Sequence, residues 1–159
     1  MSNRQNIIRE KIALMRARQT VEQFTHLQLI SFENVDSSWI QVFDEPLEVF
    51  SYIDSTPTYS KPIGESEKSY LRWFEDSLSF LKEKNEWFIL VPNCLLPIWA
   101  NVKVTHFTKA IEELWAISES NDFLIADKTT GNVAHIFCEE KDYEIHVGKC
   151  DITRLKENN

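Results

Sequence analysis

The chain has 159 residues and a formal net charge of -8, with 43% hydrophobic and 12% aromatic residues. This length and composition favour one domain with a core of its own, and they exclude disorder and a fold that depends on disulfides. Three glycines are too few for sequence repeats or glycine-rich phosphate loops. The apolar runs are shorter than the roughly 20 residues of a membrane-spanning helix. We therefore expect one soluble domain over residues 1–159, with no membrane partner.

The N-terminal segment, residues 1–25, is predicted to be a basic helix that is regular over 3–24. Apolar residues recur at helical spacing and basic residues are left to face water: Ile8, Ile12 and Met15 against Arg4, Lys11 and Arg18. Residues 1–18 hold five Lys or Arg and one Glu, so the other 141 residues carry a net charge of -12.

This N-terminal segment also bears on localisation. It lacks the apolar block and cleavage site of a secretory signal. Its arginines also fit a mitochondrial presequence, although a packed amphipathic helix explains them equally well. Three cysteines, an odd number, fit a reducing compartment better than a disulfide framework. We therefore expect a cytoplasmic protein.

A hairpin, a short helix and a loop are predicted to follow. The runs 26–32 and 39–43 are rich in aromatic and β-branched residues, which indicates two strands. Asp44 can cap a helix and Pro46 suits a first helical turn, so a short helix is expected next. Prolines, a glycine and several hydroxyl side chains indicate a surface loop over residues 55–66.

The remainder of the chain is predicted to hold two helices and five strands. The helices span 67–84 and run from Thr105 or Thr108 through Ser118, and the strands span 87–91, 99–104, 123–127, 133–139 and 143–147. The last three strands form a meander over 122–148. Helices and strands do not alternate strictly, which indicates an α+β fold. We expect a single domain whose N-terminal and central helices pack on a mostly antiparallel sheet ending in the three-stranded meander.

Two histidines and two cysteines near the end of the chain resemble a metal-ligand cluster. The spacing is His135-x2-Cys138 followed by His146-x3-Cys150, and zinc needs four such ligands at one point. Successive side chains of a strand point to opposite faces. His135 and Cys138 are three residues apart in one predicted strand, so they must diverge.

The predicted register of this hairpin follows from a turn at residues 140–142, which pairs Glu139 with Tyr143. Among the four candidate ligands it leaves only Cys138 and His146 as neighbours. The core face is then expected to hold Val133, His135, Phe137, Tyr143, Ile145 and Val147. We therefore expect no metal and no other cofactor.

Catalytic chemistry has weak support in the sequence. Cys94 is a candidate nucleophile, with His106 or His146 as its base. The apolar neighbours of Cys94 raise a thiol's pKa and leave it inert. Pairs of carboxylates such as Asp44–Glu45 are adjacent in sequence, so they do not hold two acids across a substrate. We expect no catalytic residues and no enzyme, with a small enzyme that uses Cys or His as the second alternative.

The segment 19–60 contains seven carboxylates and no Lys or Arg. A surface of one sign repels nucleic acid and steers basic partners, so nucleic-acid binding is not expected. Large aromatic residues lie among these acids, which is the composition of an interface for a basic protein. The alternative is that the aromatics are core and the acids are solvated. With a second acidic cluster at the turn 139–144, the predicted partner-binding residues are Asp44, Glu45, Glu48, Tyr52, Asp54, Tyr59, Glu139, Glu140 and Asp142.

The size, the acidic segment 19–60 and the Trp-rich α+β pattern ending in DFLIADKTTGNVAHIFCEEKDYEIHV resemble small acidic immunity proteins of bacterial toxin systems, including contact-dependent growth inhibition systems. The resemblance implies a cytoplasmic protein that binds its cognate toxin, often a basic nuclease, and blocks it with carboxylates standing in for phosphates. No motif of that class carries individual residues over to this chain. We expect a monomer or weak dimer. The main alternative is a regulatory or adaptor domain that binds a basic protein without neutralising it.

Overall fold

The computed structural model describes residues 2–153 and 155. Its helices are α1 (Asn3–Glu22), α2 (Ser38–Phe50), α3 (Glu67–Ser77) and α4 (Phe107–Ile117). Its strands are β1 (Leu27–Phe32), β2 (Tyr59–Pro62), β3 (Glu86–Leu90), β4 (Trp99–Val104), β5 (Phe123–Ala126), β6 (Asn132–Glu139) and β7 (Asp142–Lys149). Short 3-10 turns lie at Ser79–Leu81 and Glu119–Asn121. Within these described ranges, no helix has the length and apolarity needed to cross a bilayer.

The described strands form one seven-stranded antiparallel sheet in the order β1-β4-β3-β5-β6-β7-β2. The sequence-based fold class is confirmed, because helices pack on this sheet and β5, β6 and β7 form the predicted meander. β3 is flanked by β4 and β5, as the apolar run from Trp87 to Val91 predicts for a central strand. Trp87 and Ile89 are buried against one face of the sheet and Phe88 against the other.

The two faces of the sheet are covered unequally. α1, α3 and α4 pack on one face, the three-helix face, where Phe74 and Leu114 are fully buried. α2 packs on the other, the one-helix face, where Phe43 contacts Phe88 with ring centroids 5.6 Å apart. Strands lie about 4.8 Å apart and a helix is about 10 Å across, so one helix cannot cover seven strands. Part of the one-helix face therefore stays open beyond the end of α2.

The predicted strand at 39–43 is wrong, and with it the predicted hairpin with 26–32, because residues 38–50 form α2. Ser37 caps this helix, its Oγ accepting a hydrogen bond from the backbone N–H of Trp39 at 3.2 Å. The segment is helical because helical spacing places its apolar residues on one side, where they are buried against the sheet. These residues are Trp39, Phe43, Leu47 and Phe50. The helix expected from Asp44 thus starts at Ser38.

α1 forms as predicted, but its expected apolar stripe faces outward. The buried residues of α1 are Ala17 and Val21, which pack on the three-helix face. Ile8, Ile12 and Met15 lie on the opposite side of the helix and are 47%, 41% and 54% exposed. The small side chain of Ala17 lets the helix approach the sheet closely. This side of α1 is therefore buried, and the larger Ile8, Ile12 and Met15 are exposed to solvent.

Two further boundaries differ from the predicted ones. The predicted surface loop over 55–66 is wrong over 59–62, which form the edge strand β2 paired with β7. Pro62 is compatible with this strand because an edge position does not require its missing N–H. The predicted helix over 67–84 ends early, because Leu78 leaves the helical region with φ -104° and ψ 24°.

The turn between β6 and β7 is one residue shorter than predicted. It consists of Glu140 and Lys141, so Glu139 pairs with Asp142 and not with Tyr143. Glu140 adopts a left-handed φ of 41°, which the favoured two-residue hairpin turns require of their first central residue. The predicted register is therefore wrong by one residue.

This shift turns β6 over relative to its predicted orientation, because side chains alternate with a period of two. The β7 half of the predicted core face is correct, with Tyr143, Ile145 and Val147 in or against the core of the three-helix face. The β6 half is wrong: Ile136 joins that core, while His135 and Phe137 lie on the one-helix face. His135 consequently stands directly opposite His146.

Candidate functional site

An open depression of about 580 Å³ lies on the one-helix face where α2 ends. We call it the acidic cleft. The end of α2 and the turn after it form one wall, and β6 and β7 form the floor with Asp122 at one side. Its lining residues are Leu47, Phe50, Ser51, Tyr52, Ile53, Ser55, Asp122, His135, Phe137, Glu139, Glu144 and His146. No Lys or Arg is among these described lining residues, so the cleft attracts cations.

The histidines of the cleft have different environments. His135 Nε2 lies 2.7 Å from Asp122 Oδ1 and is partly exposed. His146 is 3% exposed, and its ring stacks on Phe137 with centroids 5.3 Å apart. Burial lowers the pKa of His146, and the neighbouring His135 lowers it further. His146 is therefore neutral near pH 7 and adds no positive charge to the cleft.

Carboxylates concentrate where β6 and β7 meet their turn. Glu139 pairs with Asp142, and Phe137 pairs with Glu144, across the two strands. Paired side chains lie on the same face, so the three carboxylates share the one-helix face. Burial raises the pKa of Glu144, and the charges of Glu139 and Asp142 raise it further. A nearby cation would relieve this repulsion, so the arrangement favours binding a positively charged group.

The structure brings some of the predicted partner residues to the acidic cleft. Tyr52 and Glu139 line it, and Asp142 is the cross-strand neighbour of Glu139. Glu140 is exposed at the tip of the turn, and Asp54 is exposed in the segment after α2. The two acidic regions of the sequence therefore meet on one face of the sheet.

The remaining predicted residues lie outside the cleft. Asp44, Glu45 and Glu48 are exposed and share the solvent side of α2. Burial raises the pKa of Asp44, and the nearby charge of Glu48 raises it further. Tyr59 pairs with Ile145, whose side chain belongs to the three-helix core, so Tyr59 points to the other side of the sheet.

Exposed apolar side chains border the acidic cleft. Tyr52 is 51% exposed and Ile53 is fully exposed. Val49, on the last turn of α2, is 51% exposed. Apolar groups surrounded by carboxylates supply the contact area that charge alone does not provide.

Of the residues that line the cleft, sequence reasoning selected only Tyr52 and Glu139 as partner-binding residues; the polar and aromatic residues that it missed include Asp122, His135, Phe137, Glu144 and His146. A two-residue turn at Glu140–Lys141 would have put His135 and Phe137 on the same face as Glu144 and His146, but nothing in the local sequence distinguishes that turn from a three-residue one. His135 and His146 stand opposite each other rather than converging with cysteines. In the described part of the chain, no group of three or more His, Cys, Asp or Glu is placed to hold a metal ion.

The hydrogen bond of Cys94, the candidate nucleophile, goes to the backbone and not to either candidate base, His106 or His146. Cys94 donates to the carbonyl of Pro92, with 3.6 Å between the heavy atoms. His106 caps α4, its Nδ1 accepting from the backbone N–H of Lys109. Burial raises the pKa of the Cys94 thiol, which lowers its thiolate fraction at neutral pH.

Comparison with known proteins gives no match to a family model, a curated protein or a solved structure.

Proposed function

We propose that the chain is a cytoplasmic immunity protein that binds and neutralises a basic bacterial toxin through the acidic cleft and the adjoining surface of α2. The observation that carries the proposal is the cleft itself, whose carboxylates are not balanced by a lining Lys or Arg. The resemblance in size, acidity and α+β pattern to immunity proteins supplies the class of partner. Free thiols at Cys94, Cys138 and Cys150 support a reducing compartment.

The physical mechanism has two parts. The carboxylates around the cleft and on α2 steer a cationic surface into encounter, which raises the association rate. Tyr52 and Ile53 then supply apolar contact at the rim of the cleft and slow dissociation. A basic nuclease blocked in this way has its phosphate-binding residues occupied by carboxylates.

The experiment uses the product of any toxin-like gene that neighbours the gene of this chain. Purified chain and toxin are mixed, and association rate, dissociation rate and toxin activity are measured at low and high salt. We expect a complex without toxin activity. Glu48→Lys with Glu139→Lys should slow association about tenfold or more at low salt, with little effect on the stability of the chain. Asp76→Lys with Glu83→Lys is the matched control, because it makes the same charge change on exposed residues beside the three-helix face.

The adaptor alternative predicts the same complex with the toxin-like protein still active. Failure to bind, or equal slowing by the two pairs of substitutions, would remove the acidic cleft as the binding site.

A further inference from the structure

His146 is a nearly buried histidine in the wall of the acidic cleft. It is 3% exposed, and its ring stacks on Phe137 with centroids 5.3 Å apart and packs against Phe50 at 5.4 Å. Among the described residues its ring nitrogens make no hydrogen bond, and Nε2 lies 3.9 Å from Glu144 Oε1. Buried polar groups usually have a hydrogen-bond partner, so this ring is available to a group from outside the chain.

The ring nitrogens of His146 are open to the acidic cleft. Within the described ranges, the fully buried side-chain atoms without a hydrogen bond are Trp115 Nε1 and Ser118 Oγ. The nitrogens of His146 are therefore not sealed in the protein, and the residue lines the cleft. Burial and the neighbouring His135 lower the pKa of His146, and a neutral imidazole carries one nitrogen that accepts a hydrogen bond. An acceptor thus faces whatever enters the cleft.

Glu144 supplies a second acceptor beside this nitrogen. The 3.9 Å between His146 Nε2 and Glu144 Oε1 is too long for a hydrogen bond, but a group with two or more N–H donors can bridge the two atoms. Glu139 lines the same cleft, and Asp142 is its cross-strand neighbour. These charges favour a donor group that is itself positively charged.

The walls of the acidic cleft favour a guanidinium group over an ammonium group. A guanidinium is planar, carries five N–H donors in a fixed fork, is weakly hydrated and stacks on aromatic rings. An ammonium is strongly hydrated and has to give up more bound water on entry. Phe50, Tyr52 and Phe137 line the cleft, whose volume of about 580 Å³ admits a long side chain.

We propose that the acidic cleft receives the guanidinium group of one arginine side chain of the basic partner, which donates hydrogen bonds to His146 and Glu144. The partner as the source of the arginine rests on the proposed function, whereas the preference of the cleft for a guanidinium group does not. A free guanidinium compound offers the same chemistry, and the two arms of the experiment distinguish these sources.

The first arm uses the purified chain alone with two probes that share a stem and differ in the charged group, n-butylguanidinium and n-butylammonium. NMR signals of the His146 ring nitrogens are followed during each titration. Butylguanidinium should move these signals and bind more tightly than butylammonium. Glu144→Gln, which keeps the shape of the side chain, should weaken this binding by about tenfold. Glu83→Gln removes the same charge from an exposed residue outside the cleft and should leave binding unchanged.

The second arm uses the complex with the toxin-like protein. His146→Phe removes the acceptor but keeps an aromatic ring and every carboxylate of the chain. It should speed dissociation of the complex by about tenfold, because a hydrogen bond to a charged group is lost. The association rate should change by less than about twofold, because electrostatic steering remains. Circular dichroism checks that each variant is folded.

The outcomes separate this inference from the proposed function. Equal binding of the two probes, no movement of the His146 signals, or binding that Glu144→Gln leaves unchanged would overturn the guanidinium site, even with the toxin-like protein bound at the acidic cleft. Dissociation of the complex at the same rate with and without His146→Phe would overturn the placement of the partner's arginine. Butylguanidinium binding without any complex would reject the proposed function and assign the site to a free guanidinium compound.

Discussion

Aromatic residues lie on both faces of the sheet, but their surroundings on the two faces differ. On the three-helix face, helices from three parts of the chain enclose aromatic side chains, and Phe74 contacts Trp115 and Phe123 with centroids 5.4 Å and 6.1 Å away. On the one-helix face, Phe50 and Phe137 contact His146 at the wall of an open cleft. Aromatic residues enclosed on all sides stabilise the fold, whereas those beside carboxylates and solvent form a surface that a partner can use.

The largest expected effect tests the enclosed face. Phe74→Ala removes a fully buried ring and should lower the free energy of unfolding by about 3–5 kcal/mol, because the cavity cannot collapse between three helices. Urea unfolding measures this. Tyr52→Ala, at the half-exposed rim of the cleft, should change the free energy of unfolding by no more than about 0.5 kcal/mol. Equal losses in the two variants would contradict the division between the faces.

A smaller effect is expected where α2 crosses β7. A Cβ added at Gly148 would lie 2.8 Å from Phe50 Cζ and 3.2 Å from Pro46 Cβ, which is too close for both contacts. Gly148→Ala should therefore push α2 away and lower the free energy of unfolding by about 1–3 kcal/mol. It should also weaken partner binding, since α2 forms a wall of the acidic cleft.

The control for this prediction is a double-mutant cycle with Phe50→Leu, which shortens the side chain that the new methyl meets. The double variant should be more stable than the two single changes predict by addition. Strict additivity would mean that Phe50 is not what resists the methyl group.

The smallest effect concerns pH. Burial lowers the pKa of His146, with a further lowering by His135. The unfolded chain gains a proton on this residue as pH falls below about 6.5, while the folded chain resists it. Stability should therefore be complete above that pH and decline as pH falls through the lowered pKa of the folded state.

His146→Phe isolates the contribution of His146 to the pH dependence of stability. The substitution keeps an aromatic ring at this position but removes the group that binds a proton. The wild type should lose stability relative to the variant between pH 7 and pH 5, measured by urea unfolding at each pH. The raised pKa of Glu144 acts in the opposite direction, its contribution being lost as pH rises, but Glu144 is present in both proteins. A difference that stays constant with pH would show that His146 protonates equally in both states.

How much of this the sequence predicts differs between elements for physical reasons. The run from Trp87 to Val91, which includes most of β3, is apolar at each position, and such a run is typical of a strand buried on both faces. The run 39–43 has strand-like composition, but Ser37 caps a helix there and burial of Phe43 against Phe88 favours it. Tertiary contacts therefore determine that residues 38–50 form a helix, and the local sequence pattern does not reveal those contacts.

The acidic cleft was only half predictable. The sequence locates the acids at Glu139 and Asp142 and the aromatic Tyr52, because charge and residue type can be read directly. It does not locate His135 or Phe137 in the cleft, because their face depends on the turn length at Glu140–Lys141 and hence on a register shift of one residue. The exposure of Ile8, Ile12 and Met15 on α1 was also not predictable, because helical spacing does not show which side of a helix packs on the sheet.

We propose that the open part of the one-helix face, and not the three-helix face, binds a basic protein. Hydrogen–deuterium exchange of the chain alone and in complex with the neighbouring toxin-like protein tests it most directly. We expect slowed exchange over residues 44–55 and 135–146, with exchange in α3 and α4 unchanged. Slowed exchange confined to α3 and α4, or no complex at all, would contradict it.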